Sequence, residues 1–340
     1  MLLIATALLA LLGAFLLDWL TARRGLLPPG FREPWRRGAA LLVIAVLFWI
    51  GITSPLTAIG QPAAATQPDL SAISTPQLFL LHVLMILVIL SWFLLGFAGV
   101  RRPAAPLPVS PVEPVAPPPP GEPRSADPSD AAVYPYEAPG SSLLGEPPMP
   151  PPVPVHPPPA DLSLARQLAV QFGFVAPSIP REIGLGLVLG VGAWVAVLAG
   201  IMVFALALYA MGFGESLPQQ PPALIPFIAG LPIALKILIS LSAGVVEEWF
   251  FRGFLQPRMG ILLSTVLFAL AHFSYGQPFM LIGITLLSLI YGLLVKWRQN
   301  IWPAIAAHTL FDAVQLLVVV PGALRLMQTQ GNQAAAFLGF

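Results

Sequence analysis

Apolar runs of roughly the length a bilayer demands recur along this chain, separated by short polar breaks. The pattern predicts helical spans at Leu2–Leu20, Ala39–Ile59, Leu78–Val100, Ile183–Met211, Leu231–Phe251, Ile261–Phe273, Phe279–Val295 and Ile301–Val320. The first lacks the basic start and small-residue cleavage site of a signal peptide, so a retained helix is expected. Ile261–Phe273 is short and is expected to tilt or to lie shielded inside the bundle.

One long break interrupts this rhythm. From Arg101 to Pro159 the chain is mostly Pro, Ala, Val, Ser and Glu, with Pro117–Pro120 and Pro147–Pro152 as uninterrupted or nearly uninterrupted proline. Such a segment can neither form a helix nor bury a core, and a disordered, partly polyproline-II spacer is expected. The predicted organisation is therefore N-terminal transmembrane helices at 1–100, a Pro-rich disordered linker at 101–160, and a membrane-embedded domain at 161–325. The fold class expected is an all-α, polytopic membrane helix bundle of about eight transmembrane helices.

Composition agrees. The 340 residues are 57% hydrophobic and 9% charged, against about 25% charged in a soluble domain. A net charge of +1 gives no basis for binding nucleic acid, and the absence of cysteine removes disulfides, thiolate metal sites and a cysteine nucleophile. Lys and Arg favour the cytoplasmic side of short loops. Arg23, Arg24, Arg32, Arg36 and Arg37 follow the first span, Arg101 and Arg102 the third, Arg258 the fifth, and Lys296 with Arg298 the seventh. The breaks at 60–77 and 212–223 contain neither residue. The expected topology has the N-terminus outside, the linker cytoplasmic and the C-terminus outside, with Arg325 against it.

Against this background the polar residues inside the spans stand out, because ionised groups at bilayer depth are costly and persist as partners, ligands or catalysts. Glu247 and Glu248 lie in the fifth span, His272 closes the sixth, and His308 with Asp312 occupies the eighth. At about 1.5 Å per residue, Glu247 is roughly 13 Å from a helix end before Pro257, His272 about 18 Å from Gly260, and His308 with Asp312 about 9–15 Å from Trp302. All reach a similar level, mid-bilayer and leaning cytoplasmic.

Spacing divides their work. Glu248 and Arg252, four apart, share a helix face and can form an internal ion pair. Glu247 is left as a carboxylate free to face a cavity, where burial suits it to general-base duty. Phe268 is four residues before His272 and can fix its imidazole, while Asp312 can accept a proton from His308 or bind a water. His82 is expected to be structural or interfacial and His156 part of the linker. Ser242 and Ser288 read as helix-packing residues. No serine-nucleophile elbow and no phosphate loop occurs. Water activation by a carboxylate, a metal, or both remains. Glu247, His272, His308 and Asp312 are acceptable ligands for a divalent metal such as zinc, although a His-Glu-x-x-His helix is missing. A metal-free scheme, requiring no cofactor, fits as well: Glu247 takes a proton from water held by His272, and His308 with Asp312 steadies an oxyanion. A transporter is disfavoured because the polar pattern shows no inverted repeat.

These residues resemble the motifs of the CPBP family of intramembrane proteases, which contains Rce1-type CAAX prenyl endopeptidases and bacteriocin-processing or immunity proteins. Glu-Glu-x-x-x-Arg is present as Glu247, Glu248 and Arg252, Phe-x-x-x-His as Phe268 and His272, and His-x-x-x-Asp/Asn as His308 and Asp312. Phe251-Arg252-Gly253 also looks like the first motif, and the resemblance covers about Ile183 to Val320. It implies an endopeptidase that cuts membrane-associated peptides or proteins near the cytoplasmic leaflet, with Glu247 activating water and the metal question open. It also implies an integral protein of a bacterial plasma membrane whose site opens toward the cytoplasm. A non-catalytic scaffold or immunity protein on the same fold is the alternative. Asp312 departs from the Asn typical of prenyl-peptide proteases, and an ionised Asp cannot donate to an oxyanion. It must be protonated, orient His308 or bind a metal.

Overall fold

A computed structural model of the chain describes residues 2–23, 29–55, 74–97, 163–214, 224–273 and 280–330. The Pro-rich segment 101–160, with His156, lies outside them. Among the described residues the regular structure is entirely helical. Helix α1 spans Leu2–Arg23, α2 Pro34–Phe48 with a wider π-helical turn at Trp49–Thr53, α3 Leu80–Phe97, and α4 Leu164–Gln171. Helix α5 runs Ile179–Ala210 and α6 Ile233–Ser242, the latter continuing as a π-helix over Ala243–Leu255. Then come α7 at Gln256–Ala271, α8 at Met280–Arg298, α9 at Trp302–Val314, and, after a π-helical turn at Gln315–Val319, α10 at Val320–Gln330.

Seven segments among the described residues are long and apolar enough to cross a membrane, where eight were expected. The difference lies in Ile233–Ala271, a run of 39 residues that joins two expected spans without a loop. At about 1.5 Å per residue it would exceed one crossing if straight. It is broken at Gly260, whose φ of 84° and ψ of 169° suit a residue without a Cβ. The break was expected before Pro257. Pro257 instead sits in the first turn of α7, where a missing N–H is tolerated. Past Gly260 the chain returns along the π-helix, and Ser264 Oγ donates to the Phe251 carbonyl at 2.8 Å.

Large apolar side chains such as Leu12, Val188, Val203 and Leu262 point outward, while Glu248, Arg252 and His308 are buried. A protein surrounded by hydrocarbon places its residues this way round. The fold is a polytopic all-α bundle, and the chain reads as an integral membrane protein. The described helices before and after the Pro-rich segment form one compact unit. Trp92 and Phe93 of α3 share a core with Phe172, Phe250 and Phe254. Arg258 belongs to this core and not to a cytoplasmic loop: it is buried, donates to the Phe254 carbonyl and lies over the Phe254 ring at 4.5 Å. The N-terminal helices hold to one another by polar contacts, Arg37 Nε to Asp18 at 2.7 Å and Arg36 to the Leu95 carbonyl at 3.2 Å.

Helix α9 is wedged between α5 and the π-helix, and glycines set the distance. A Cβ on Gly190 would lie 2.9 Å from Ala307 Cα, and one on Gly244 would lie 2.9 Å from the Thr309 nitrogen and 3.0 Å from the Ile305 carbonyl oxygen. Small residues let membrane helices approach closely. Here they bring α9 against the helix that carries the glutamates. The Gly244→Val variant is therefore expected to lose about 1–3 kcal/mol through overpacking. Its melting in detergent should fall, and a melting curve equal to that of the unaltered chain would contradict this packing.

Candidate functional site

Glu247 and Glu248 are adjacent on the π-helix and face different partners. Glu248 is fully buried. Its Oε1 lies 2.9 Å from Arg252 Nη1 and accepts from His308 Nδ1 at 2.8 Å. Arg252 Nη2 donates to the Ser288 carbonyl at 3.2 Å and to Ser288 Oγ at 3.1 Å, and Ser288 Oγ donates to Thr265 at 3.2 Å. The guanidinium also lies 4.5 Å from the centre of the Phe268 ring. One ion pair therefore ties the π-helix to α7, α8 and α9.

Glu247 looks elsewhere. Its Oε1 is 3.3 Å from His82 Nε2, and its Oε2 is 3.7 Å from His272 Nε2 without accepting a hydrogen bond among the described residues. His272 Nδ1 donates to the Phe268 carbonyl at 2.7 Å. A carbonyl only accepts, so that nitrogen carries the proton, and in the neutral ring Nε2 is an acceptor. The Phe268 ring, four residues earlier in the chain, lies 4.6 Å from the His272 ring at an interplanar angle of 31°.

His308 is anchored through Nδ1 by Glu248, which leaves Nε2 directed at Asp312 Oδ2, 3.6 Å away. Tyr291, itself buried, lies against the ring at 5.3 Å. The sequence-predicted residues are thus gathered as two neighbouring groups, Glu247 with His272 and Glu248 with Arg252, His308 and Asp312. Phe268 stands between them, 6.0 Å from the His308 ring. Among the described residues no grouping of three or more His, Cys, Asp or Glu side chains is arranged to hold a metal ion.

Three residues have partners that the sequence did not name. For His82, α3 brings the imidazole to Glu247 across 165 positions of sequence. Ser242 is more than a packing residue, since its Oγ is 2.7 Å from His82 Nδ1. Ser288 likewise serves the Arg252 guanidinium. The available signal for His82 was an imidazole at the head of a very apolar helix, but nothing local names a partner so distant in sequence.

Fold and site together define a polytopic membrane bundle with carboxylates and imidazoles at its centre. The family described as type II CAAX prenyl endopeptidase Rce1-like matches residues 229–314. The chain is also 35% identical over 79 residues to a Bacillus subtilis (strain 168) protein described as uncharacterized protein YpbD. That similarity spans 23% of this chain and 42% of the relative. The comparison with solved structures finds no match. Both Glu247 and Glu248 with Arg252, Phe268, His272, His308 and Asp312 fall inside the matched segment, whereas His82 falls outside it.

Removing one partner from a buried ion pair leaves an uncompensated charge, at a cost of about 3–5 kcal/mol. We expect Arg252→Gln to destabilise the fold by that order. Adding Glu248→Gln should recover part of the loss, read as a double-mutant cycle of thermal unfolding in detergent. Additive losses would show the pair to be uncoupled.

Proposed function

We propose that this protein is an intramembrane endopeptidase in which Glu247 activates a water molecule for attack on a peptide bond. The observation that carries the reading is the opposition of Glu247 Oε2 and His272 Nε2 at 3.7 Å. One is a carboxylate oxygen that accepts no hydrogen bond among the described residues, the other an acceptor nitrogen in the neutral tautomer that Phe268 imposes. Two acceptors at that separation are satisfied by a water molecule donating one proton to each. Its oxygen lone pairs are then free for a carbonyl carbon.

The chemistry follows from that placement. Water oxygen bonds to the carbonyl carbon while Glu247 takes the proton, in the manner of a general base. The carbonyl oxygen becomes an oxyanion. His308, steadied at Nδ1 by Glu248, carries a proton on Nε2 in its imidazolium form and donates it as a hydrogen bond to that oxyanion. Asp312, whose Oδ2 lies 3.6 Å from the same Nε2, supports the imidazolium by charge. The C–N bond breaks as Glu247 returns its proton to the leaving amine, giving a carboxylic acid and an amine. These leave as carboxylate and ammonium once the acid's proton passes to the amine. The Glu248–Arg252 pair holds the helix and takes no proton.

The substrate class is a membrane-associated peptide or protein. The Lys and Arg distribution supports a site that opens toward the cytoplasm. The scheme routes no step through a metal ion.

Glu247→Gln and His272→Ala are expected to lower cleavage by about 10²–10⁴-fold while the protein remains inserted and folded. Comparing the peptides released from membranes by the unaltered and Glu247→Gln proteins checks this, and equal release would end the proposal. Protection of a partner that survives Glu247→Gln would instead mark a binding scaffold. Turnover is further expected to persist after dialysis against a chelator, with metal analysis of the same sample. Loss on chelation and recovery with zinc would replace the metal-free scheme.

A further inference from the structure

His82 lies outside the segment matched by the family and comes from the helix that precedes the Pro-rich segment, yet it touches the proposed base. Its helix α3 is strongly apolar and carries no Asp, Glu, Lys or Arg. An imidazole there is costly unless both ring nitrogens are satisfied. Both are. Nε2 is 3.3 Å from Glu247 Oε1 and Nδ1 is 2.7 Å from Ser242 Oγ.

The tautomer follows from the partners. An ionised carboxylate only accepts, so Nε2 carries the proton and donates it to Glu247. Nδ1 of the neutral ring is then an acceptor, and the Ser242 hydroxyl donates to it. Ser242 and Glu247 are five residues apart. In an α-helix that spacing turns two side chains about 140° from one another. The π-helix that starts at Ala243, with its i→i+5 hydrogen bonding, brings positions five apart back onto one face, where a single imidazole reaches both.

We propose that His82 is a positioning residue for the hydrolytic site: its Nε2–H holds Glu247 Oε1, so that Oε2 is aimed at the water between Glu247 and His272, and Ser242 sets the tautomer that makes this donation available. The inference rests on the endopeptidase reading and adds to it that the N-terminal helices complete the active site. A carboxylate on a two-torsion stem in an apolar setting has several orientations, and one anchored oxygen selects among them. Misplacement of a reacting group by about 1 Å can cost about a hundredfold in rate.

The test uses the full chain reconstituted in phospholipid vesicles, first with a membrane proteome to find released peptides, then with a quenched peptide built on a released sequence. His82→Phe keeps the ring but has no donor, and kcat should fall about a hundredfold with KM and melting unchanged. His82→Gln places an amide N–H near the position of Nε2 and should recover most of that loss. Ser242→Ala should give a smaller fall in kcat with normal melting. This third variant keeps the proposal testable if His82→Phe does not fold, because an unchanged kcat there would overturn it. Unaltered turnover in His82→Phe beside an inactive Glu247→Gln would remove His82 while sparing the endopeptidase reading. Equal losses in His82→Phe and His82→Gln would reduce His82 to helix packing. An active Glu247→Gln, or no peptide released by the unaltered chain, would overturn both.

Discussion

Two carboxylates next to one another in a lipid-embedded bundle pose a single electrostatic problem, and the rest of the architecture is arranged around its solution. Neither can be left bare, since a desolvated charge without a partner costs several kcal/mol. Glu248 is neutralised by Arg252 inside the fold, and the guanidinium is in turn held by Ser288 and by the face of Phe268. That arrangement neutralises one glutamate inside the fold, while its neighbour faces other partners. Among the described residues Glu247 keeps the contacts of two imidazoles, one near each oxygen.

Helix packing converts this division into a site. Glycines at 190 and 244 let α9 approach both α5 and the π-helix, which delivers His308 to Glu248. Phe268 works on two neighbours at once: its ring faces Arg252 and His272, and its carbonyl fixes the proton of His272. The N-terminal helices are part of the same construction, because the aromatic core of α3 and the π-helix places His82. Apolar contact thus decides which polar groups meet.

Much of this was legible in the chain. The spans follow from apolar run length, and the pairs Glu248–Arg252, Phe268–His272 and His308–Asp312 follow from the four-residue repeat of a helix, all local properties. What the chain did not disclose is non-local or depends on departures from that repeat. The meeting of His308 with Glu248 crosses 60 positions and that of His82 with Glu247 crosses 165. The π-helix has no composition of its own, so the alignment of Ser242 with Glu247 could not be anticipated from α-helical spacing. Arg258 was counted among loop cations because position after an apolar run says nothing about aromatic rings arriving from elsewhere.

The reversal at Gly260 has a mechanical corollary. The segment bearing the carboxylates and the segment bearing His272 are rigid rods meeting at one joint, with no intervening loop to absorb motion. A small rotation at that joint is magnified along α7, and its largest displacement arrives at the far tip, where His272 sits. The separation of Glu247 from His272 is therefore geared to a pair of backbone torsions at the opposite end of the rod.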